Sequence, residues 1–286
     1  MKKILKVATR SSPLAMKQAE MAVEYFSGKI ENSEYEILPF KTLGDKKLEW
    51  SLEKEGGKGL FTKELEDALL SGEADFAVHS AKDMPVVCPE GLAVAAFLPR
   101  DDARDVFISK ISAPNLIATA SPRRRAQLKR IFPDAQWTQI RGNVGTRLGK
   151  IRDGLADATM LSSAGLDRLG ISSFDGLKFE RLDFSKCVPA VGQGAIAIEC
   201  RVSDAPFFGK FSHQPTALAV NLEREFLSSL GGGCQAAFGA NFDGGIFRIF
   251  HEKTSYMEYD FTKLSSFGEM LEKVREIAFG ILKQVS

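Results

Sequence analysis

Cysteine and histidine are scarce in this chain of 286 residues, which has four of the former and three of the latter. No two cysteines form a Cys-x-x-Cys pair, and the histidines, His79, His213 and His251, lie far apart in the sequence. Zinc sites need clustered ligands of these two types, so we expect no metal site. Cysteines without a special setting, namely Cys88, Cys187 and Cys200, are expected to be small buried apolar side chains.

The chain also lacks an excess of either charge and lacks long apolar runs. Lysine and arginine number 38 against 37 acidic residues, and this balance argues against a nucleic-acid partner. The longest apolar run, Leu92 to Leu98, is far below the ~20 residues that span a membrane. Lys6 and Arg10 interrupt the apolar stretch that a secretion signal would need. We therefore expect a cytoplasmic protein with no membrane segment, and the absence of a heptad pattern favours a monomer.

Strand-like and helix-like patterns alternate along most of the chain. Apolar strand patterns end at Thr9, His79, Thr119 and Leu161, and each is followed by a polar turn and, in most cases, a helical pattern. Such alternation predicts the α/β class, with helices layered on sheets. Residues 188–194 are rich in glycine and proline and precede an apolar strand, which suits a chain that crosses from one domain back to another.

We predict two α/β domains similar to the lobes of periplasmic binding proteins and joined by a hinge, plus a small C-terminal α+β domain. Residues 1–98 and 195–214 form the first domain, residues 99–194 the second, and residues 215–286 the third. Residues 8–13 and 118–123 look alike, which hints that the first two domains share an architecture.

Arginine is concentrated in two segments, residues 121–125 and 141–147, each of which follows a predicted strand. Ser121 is a good N-cap and Pro122 a good first helical residue, so the arginines after them fall in the first turn of a helix. The helix dipole opposes positive charge there by roughly 0.3–1 kcal/mol per charge. An anion bound at the helix start would explain the pattern, and a solvated basic turn is the alternative.

Further polar side chains also come directly after predicted strands, namely Arg10 and the pair Lys82 and Asp83. In open α/β sheets, ligands bind beyond the carboxyl ends of the strands. We therefore expect these side chains and the two arginine segments to line one cleft between the first two domains.

Six short motifs occur in order along nearly the whole chain. They are residues 10–15 (Arg-Ser-Ser-Pro-Leu-Ala), 56–65 (Gly-Gly-Lys-Gly-Leu-Phe-Thr-Lys-Glu-Leu), 79–85 (His-Ser-Ala-Lys-Asp-Met-Pro), 141–147 (Arg-Gly-Asn-Val-Gly-Thr-Arg), 190–194 (Ala-Val-Gly-Gln-Gly) and 232–235 (Gly-Gly-Cys-Gln). Together they resemble the motifs of the hydroxymethylbilane synthases, also called porphobilinogen deaminases. The C-terminal domain is shorter than is usual in that family and is predicted to lack a strand pair.

The resemblance implies an enzyme of tetrapyrrole biosynthesis that condenses four porphobilinogen molecules head-to-tail into hydroxymethylbilane and releases ammonia. It also implies a dipyrromethane cofactor that is attached to Cys234 through a thioether and primes the chain. Each pyrrole carries an acetate and a propionate, which guanidinium groups accept bidentately. The alternative of a different class is a non-catalytic two-lobed binding protein for a polycarboxylate ligand.

The resemblance further assigns roles to individual residues. Asp83, with Lys82, is the catalytic group, because a carboxylate stabilises the azafulvene cation and moves protons; by itself, Asp83 reads as a turn cap before Pro85. The residues implied to bind the cofactor are Cys234, Lys82, Asp83, Ser121, Arg123 and Arg124. The residues implied to bind substrate and the growing chain are Arg10, Ser12, Gln18, Arg141, Asn143, Arg147, Arg168 and Gln193.

Two remaining features have open interpretations. Residues 56–63 lack the pattern of a phosphate-binding loop, and their glycines predict a mobile lid from which Lys58 reaches carboxylates. A simple turn before the next helix is the alternative. Arg168 reads, without the resemblance, as an exposed helix end, and Arg125 is predicted to face solvent.

Overall fold

The computed structural model describes residues 3–46, 61–231 and 237–285. These residues divide into two units, which we call unit 1 (Met1–Arg100 with Ala195–Ala217) and unit 2 (Asp101–Gly194 with Leu218–Ser286). Within the described ranges, no helix is long and apolar enough to cross a membrane.

The strands and helices are numbered in chain order. The strands are β1 (Lys3–Arg10), β2 (Ser33–Phe40), β3 (Phe76–Ser80), β4 (Leu92–Phe97), β5 (Asp105–Ser109), β6 (Leu116–Ala118), β7 (Gln136–Thr138), β8 (Ala158–Ser162), β9 (Lys178–Arg181), β10 (Ile196–Arg201), β11 (Phe238–Asp243), β12 (Ile246–His251) and β13 (Ser255–Asp260). The helices are α1 (Pro13–Ser27), α2 (Leu43–Lys46), α3 (Lys63–Leu70), α4 (Pro122–Leu128), α5 (Val144–Arg152), α6 (Ser163–Arg168), α7 (Ala205–Gly209), α8 (Gln214–Ser229) and α9 (Phe267–Val285). A 3-10 turn spans Ala81–Asp83.

Unit 1 is built on a five-stranded sheet in the order β2-β1-β3-β10-β4. Strand β1 is parallel to β2 and β3, whereas β10 is antiparallel to β3 and β4. Helix α1 begins where the sequence predicts, because the Ser12 hydroxyl accepts a hydrogen bond from the Ala15 amide (3.4 Å) and Pro13 fits the first position. One face of the sheet packs on α1 around the buried rings of Phe26 and Phe76.

Unit 2 contains a second five-stranded sheet of the same type, in the order β7-β6-β8-β5-β9. Here β6 is parallel to β7 and β8, and β5 is antiparallel to β8 and β9. Every residue of β5 is buried. The two sheets therefore share one strand arrangement. In the spatial order of each sheet, the first three strands are parallel and the fourth is antiparallel to both of its neighbours. The similarity of residues 8–13 and 118–123 hints at this shared architecture.

Unit 2 also contains a three-stranded antiparallel sheet, β11-β12-β13. Apolar side chains of this sheet, including Phe247, pack with Phe226 of α8 and Val274 of α9 in one core that also takes in Val191. The three strands, α9 and the part of α8 from Leu218 onward belong to unit 2. The three-domain division with a separate domain over residues 215–286 stays a prediction.

Four strands and two short helices are absent from the sequence-based prediction, namely β2, β4, β5, β9, α2 and α7. Strand β2 alternates half-buried and exposed positions and carries charged residues, so its apolar signal is weak. Strand β5 begins with an aspartate, a residue type that is depleted in strands. The strand predicted before residues 141–147 spans Gln136–Thr138.

Candidate active site

Two arginines of α4 converge on one buried carboxylate. Asp105, the first residue of β5, is completely buried. Its Oδ2 lies 2.8 Å from Nη2 of Arg123, and its Oδ1 lies 2.7 Å from Nη2 of Arg124. Arg124 also donates to Oδ1 through Nε, at 3.2 Å. We call these three side chains the arginine–aspartate cluster; two guanidinium groups and one carboxylate give it a formal charge of +1.

Backbone carbonyls take further N–H groups of the same arginines. Arg123 donates from Nη1 to the carbonyl of Val188 (2.7 Å) and contacts Sγ of Cys187 (3.5 Å), and Arg124 donates from Nη1 to the carbonyl of Met160 (2.9 Å). Contacts with described residues therefore use at most three of the five N–H groups of each guanidinium. Among the described residues, both groups therefore have N–H donors beyond those contacts.

Gln193 joins the arginine–aspartate cluster. Its side chain is almost fully buried, and Nε2 donates to Oδ1 of Asp105 (3.0 Å) and to the carbonyl of Ala103 (2.7 Å). Gln127 of α4 binds both the amide and the carbonyl of Val188, at 2.7 and 3.0 Å. The segment that carries Val188 and Gln193 is therefore docked on the helix that carries the arginines.

Burial acts in opposite directions on the pKa of Arg123 and on the pKa of the neighbouring Cys187 thiol. Burial is the largest influence on Arg123 and acts to lower its pKa, but Asp105 and Cys187 together raise that pKa above its ordinary value. Burial, reinforced by Asp105, raises the pKa of the Cys187 thiol to about 12. The cluster thus holds a permanent guanidinium next to a thiol that stays protonated.

Lys82 and Asp83 lie on the 3-10 turn that directly follows β3. Asp83 is exposed and Lys82 is half-buried, whereas Ala81 of the same turn and Gln18 of α1 are buried. Gln18 of α1 donates from Nε2 to the hydroxyl of Ser80 (2.9 Å), and the amide of Ala81 donates to the carbonyl of Ala195 (3.0 Å). The exposed carboxylate of Asp83 therefore lies on a turn that is held at its start by hydrogen bonds to α1 and to Ala195, the residue before β10.

Arg10 and Ser12 lie at the same end of β1. The guanidinium carbon of Arg10 lies 4.3 Å from the centre of the Phe61 ring, and Ser12 caps α1. Lys58 and Cys234, the predicted lid residue and cofactor tether, fall outside the described residues.

The segment before α5 is held by its own side chains. Asn143 is the N-cap, and its Oδ1 accepts hydrogen bonds from the amide (3.0 Å) and hydroxyl (2.7 Å) of Thr146. Arg147 donates from Nε to the carbonyl of Gly142 (2.6 Å). Arg141 and Arg147 are both half-buried. Local hydrogen bonds thus fix the backbone that carries these two arginines.

Arg168 and Arg125 differ from their sequence-based descriptions. Only 5% of the Arg168 side chain is exposed; Nε pairs with Oδ2 of Asp101 at 2.8 Å, and Nη2 donates to the carbonyl of Gly194 at 2.6 Å. Burial outweighs Asp101 and lowers the pKa of Arg168. The description of Arg168 as an exposed helix end is wrong. Arg125 is half-buried, so it faces solvent only in part.

A second buried charged cluster lies in unit 1. Nε2 of His79 is 3.0 Å from Oε2 of Glu199, and both side chains are at most 3% exposed. Glu66 of α3 is also buried; burial is the main cause that raises its pKa, Thr62 opposes the shift, and Glu199 adds to it. We call Glu66, His79 and Glu199 the acid–histidine cluster.

Sequence reasoning missed Asp105 and Glu199, although each left a signal. Asp105 precedes four consecutive residues of a buried strand, and Glu199 lies within the apolar strand β10. A carboxylate in such a place must be paired or protonated in the folded protein. No group of residues suited to hold a metal ion occurs in the described part of the chain.

The fold and the site define an α/β protein in which two buried arginines share one carboxylate. Residues 5–208 match the family model for the dipyromethane cofactor binding domain of porphobilinogen deaminase. The chain is 43% identical over 245 residues to a porphobilinogen deaminase of Brevibacillus brevis, covering 82% of this chain and 78% of the relative. The chain belongs to the porphobilinogen deaminase family.

Solved structures with a similar course of the chain share little sequence with it. The VFT2 domain of BvgS from Bordetella pertussis (a double mutant) is 16% identical, with a TM-score of 0.45, covering 75% of this chain and 90% of that one. The periplasmic aliphatic sulphonate binding protein SsuA of Escherichia coli is 14% identical, with a TM-score of 0.42, covering 80% of this chain and 70% of that one. Neither likeness bears on function. The predicted α/β class is confirmed by the two mixed sheets, and the predicted family by the matches above.

Proposed function

We propose that this protein is a hydroxymethylbilane synthase, which condenses four porphobilinogen molecules head-to-tail and releases ammonia. When bound, its dipyrromethane cofactor supplies the pyrrole carbon from which the chain grows. The observation that carries the proposal is the arginine–aspartate cluster, which lies within the residues that match the cofactor-binding family model. The cluster has the charge and the donors that a pyrrole acetate or propionate needs.

The charge of the cluster supports a carboxylate ligand. Arg123 and Arg124 are buried, and Asp105 compensates for one of their two positive charges. A buried charge without a partner is costly, and arginine cannot relieve this cost by losing its proton. A cofactor carboxylate would complete the pairing, and each hydrogen bond to a charged group contributes about 1.5–3 kcal/mol. We assign Ser121 and Lys82 to the same role.

The position of Gly239 supports attachment of the cofactor at Cys234. A Cβ atom built on Gly239 would lie 2.6 Å from the carbonyl oxygen of Pro189 and 3.2 Å from Cδ of Arg123, so only glycine lets β11 approach this closely. Cys234 precedes Gly239 by only a few residues in the sequence. The tether that we propose is thus near in sequence to a strand that touches the arginine–aspartate cluster.

Asp83 is the group that we assign to the chemistry. Loss of ammonia from the aminomethyl group of porphobilinogen leaves an azafulvene cation, which the α-carbon of a terminal pyrrole attacks to form the new C–C bond. The attacking ring then loses a proton from that α-carbon. An exposed carboxylate on a fixed turn can stabilise the cation and accept the proton, and Lys82 lies beside it in the sequence.

The remaining residues implied by the resemblance divide by their contacts. Arg10, Arg141 and Arg147 are half-buried arginines that we assign to substrate and chain carboxylates. Gln18, Gln193 and Arg168 are buried and hydrogen-bonded to neighbouring residues, so we assign them to shaping the site. Ser12 and Asn143 cap α1 and α5, and their backbone turns carry the nearby arginines. Lys58 is proposed as a lid residue on the glycines that surround it in the sequence.

We further propose that the enzyme works in the cytoplasm as a monomer, with porphobilinogen as its substrate and without nucleic acid. The near balance of charge supports the last point. Cys88, Cys187 and Cys200 form no disulfide, which suits a reducing compartment.

Replacement of Asp83 tests the proposed chemistry. Asp83→Asn should lower the rate of porphobilinogen consumption by at least about 100-fold, because it removes a charge that acts on the reacting carbon and its proton. The rate is expressed per molecule that carries the cofactor, so that effects on cofactor loading are separated. Asp134→Asn, which changes an exposed carboxylate elsewhere, is the control. Turnover near the wild-type rate in a folded Asp83→Asn protein would refute the assignment.

A further inference from the structure

Asp105 has no role in the resemblance, yet both arginines that we assign to the cofactor bind it. We propose that Asp105 is a positioning residue: its carboxylate fixes the guanidinium groups of Arg123 and Arg124 in the orientation that receives a cofactor carboxylate. This inference rests on the proposed function and deepens it, because it assigns the site a residue that the bound ligand need not touch.

The two oxygens of Asp105 hold different arginines. Oδ2 binds Nη2 of Arg123 (2.8 Å), whereas Oδ1 binds Arg124 through both Nη2 (2.7 Å) and Nε (3.2 Å). An arginine side chain has several rotatable bonds, so holding it in one geometry normally costs conformational entropy at the moment of binding. Here that cost is met during folding. The carboxylate therefore preorganises two donors for one ligand.

The position of the carboxylate is itself fixed by the sheet. Asp105 pairs with Ser162 of β8, and its carbonyl accepts a hydrogen bond from the amide of Leu182 (2.9 Å). Gln193 donates to Oδ1 at 3.0 Å. Arg124 reaches the same two strands, because its Nη1 donates to the carbonyl of Met160 in β8. Strands β5 and β8 thus set where both arginines point.

The charge on Asp105 suits a site that must exist before its ligand arrives. Two buried guanidinium groups without a counter-charge would repel each other, and Asp105 reduces that repulsion in the ligand-free protein. A single carboxylate leaves one positive charge in the arginine–aspartate cluster, so an anionic ligand is still attracted. A neutral residue at this position would keep the shape but would leave the two guanidinium groups to repel each other.

Cofactor loading tests the inference. The full-length protein, produced without cofactor, is incubated with porphobilinogen, and intact-mass measurement follows the fraction that gains two linked pyrrole units. Asp105→Asn should slow this gain at least about tenfold relative to wild type, as is typical when a supporting partner of a binding group is lost. Asp105→Glu keeps the charge and should restore part of the rate. Asp102→Asn, which alters a carboxylate paired with Arg104, should load like the wild-type protein.

Loss of fold is separated from loss of positioning by measuring circular dichroism and loading on the same samples. If Asp105→Asn does not fold, Asp105→Glu is the deciding variant. We expect it to fold, but to load the cofactor more slowly than wild type because its carboxylate is displaced. The inference would be overturned if folded Asp105→Asn, or Asp105→Glu where the former does not fold, loaded the cofactor at the wild-type rate. The proposed function would then remain intact. Failure of the wild-type protein to gain two pyrrole units would instead contradict the proposed function.

Discussion

Each unit buries one charged cluster against its five-stranded sheet, and the two clusters have opposite compositions. The arginine–aspartate cluster of unit 2 combines two guanidinium groups with one carboxylate. The acid–histidine cluster of unit 1 combines two carboxyl groups, Glu66 and Glu199, with the imidazole of His79. Neither cluster balances its charge when every carboxyl group and arginine is ionised and the imidazole carries at most one positive charge.

The two clusters resolve this imbalance in different ways because their side chains titrate differently. Glu66 can bind a proton, and burial, with Glu199 adding to it, raises the pKa of that carboxyl group. Arginine stays charged, so the arginine–aspartate cluster can be balanced only by another anion. A buried excess of carboxyl groups can thus be neutralised by a proton, whereas a buried excess of arginine needs a further anion, such as a ligand.

The largest effect is expected for Arg124→Met. This change removes one arginine of the arginine–aspartate cluster together with its three donor contacts to Asp105 and Met160. Hydrogen bonds to a charged group contribute about 1.5–3 kcal/mol each, so urea unfolding should show a loss of about 3–5 kcal/mol, and cofactor loading should fall with it. Arg130→Met, on an exposed arginine beyond the same helix, is the control. Equal stability of the two variants would contradict the described pairing.

A smaller effect is expected for His79→Gln in the acid–histidine cluster. The change removes the group that faces Glu199 at 3.0 Å and leaves a buried carboxyl group with a weaker partner. We expect a loss of about 1–3 kcal/mol in the free energy of unfolding, measured with urea. The double variant His79→Gln with Glu199→Gln should be more stable than the single one, because an amide then replaces the buried carboxyl group that has lost its partner. A double variant no more stable than His79→Gln would argue against a charged pair.

Glu66→Gln should change how stability depends on pH. The pKa of Glu66 is raised in the folded protein, so its contribution to stability is present below the ordinary pKa of 4.5 and is lost as the pH rises through the folded value. Glutamine does not titrate. The stability of the variant relative to wild type should therefore increase as the pH rises above 4.5. Urea unfolding across this range checks the slope, with exposed Glu73→Gln as the control, and a slope equal to that of wild type would contradict the assignment.

The smallest effect concerns the thiol beside the arginines. A cationic setting normally lowers the pKa of a cysteine, but burial first and Asp105 second raise that of Cys187 to about 12. Cys200, which is not in the arginine–aspartate cluster, has a pKa raised to about 12 mainly by burial. We therefore expect both thiols to resist labelling in the native protein, as followed by peptide mapping, and to react after unfolding. Rapid labelling of Cys187 alone would show that the arginines outweigh Asp105.

The local features of the fold follow from the sequence, because they depend on neighbouring residues. Ser121 caps α4 as predicted, Ser12 caps α1 in the same way, and the turn with Lys82 and Asp83 follows β3. The partner of the arginines could not be predicted in the same way. The sequence pattern indicated an external anion at the helix start, whereas Asp105, which lies in a preceding strand, supplies part of that counter-charge.

Arg168 shows the same limit. Its position at the end of a short helix predicts exposure, but Asp101, far away in the sequence, pairs with it and buries it. A local pattern records which residues can begin or end an element. It does not record which distant carboxylate the sheet topology brings beside a charged side chain, and both buried clusters depend on such a partner.

Intact-mass measurement of the purified protein tests most directly whether Cys234 carries the dipyrromethane cofactor. We expect the mass of the wild-type protein to exceed that of the unmodified chain by two linked pyrrole units. This excess should be retained in Cys88→Ala and lost in Cys234→Ala. An active wild-type enzyme whose mass equals that of the unmodified chain would contradict this expectation.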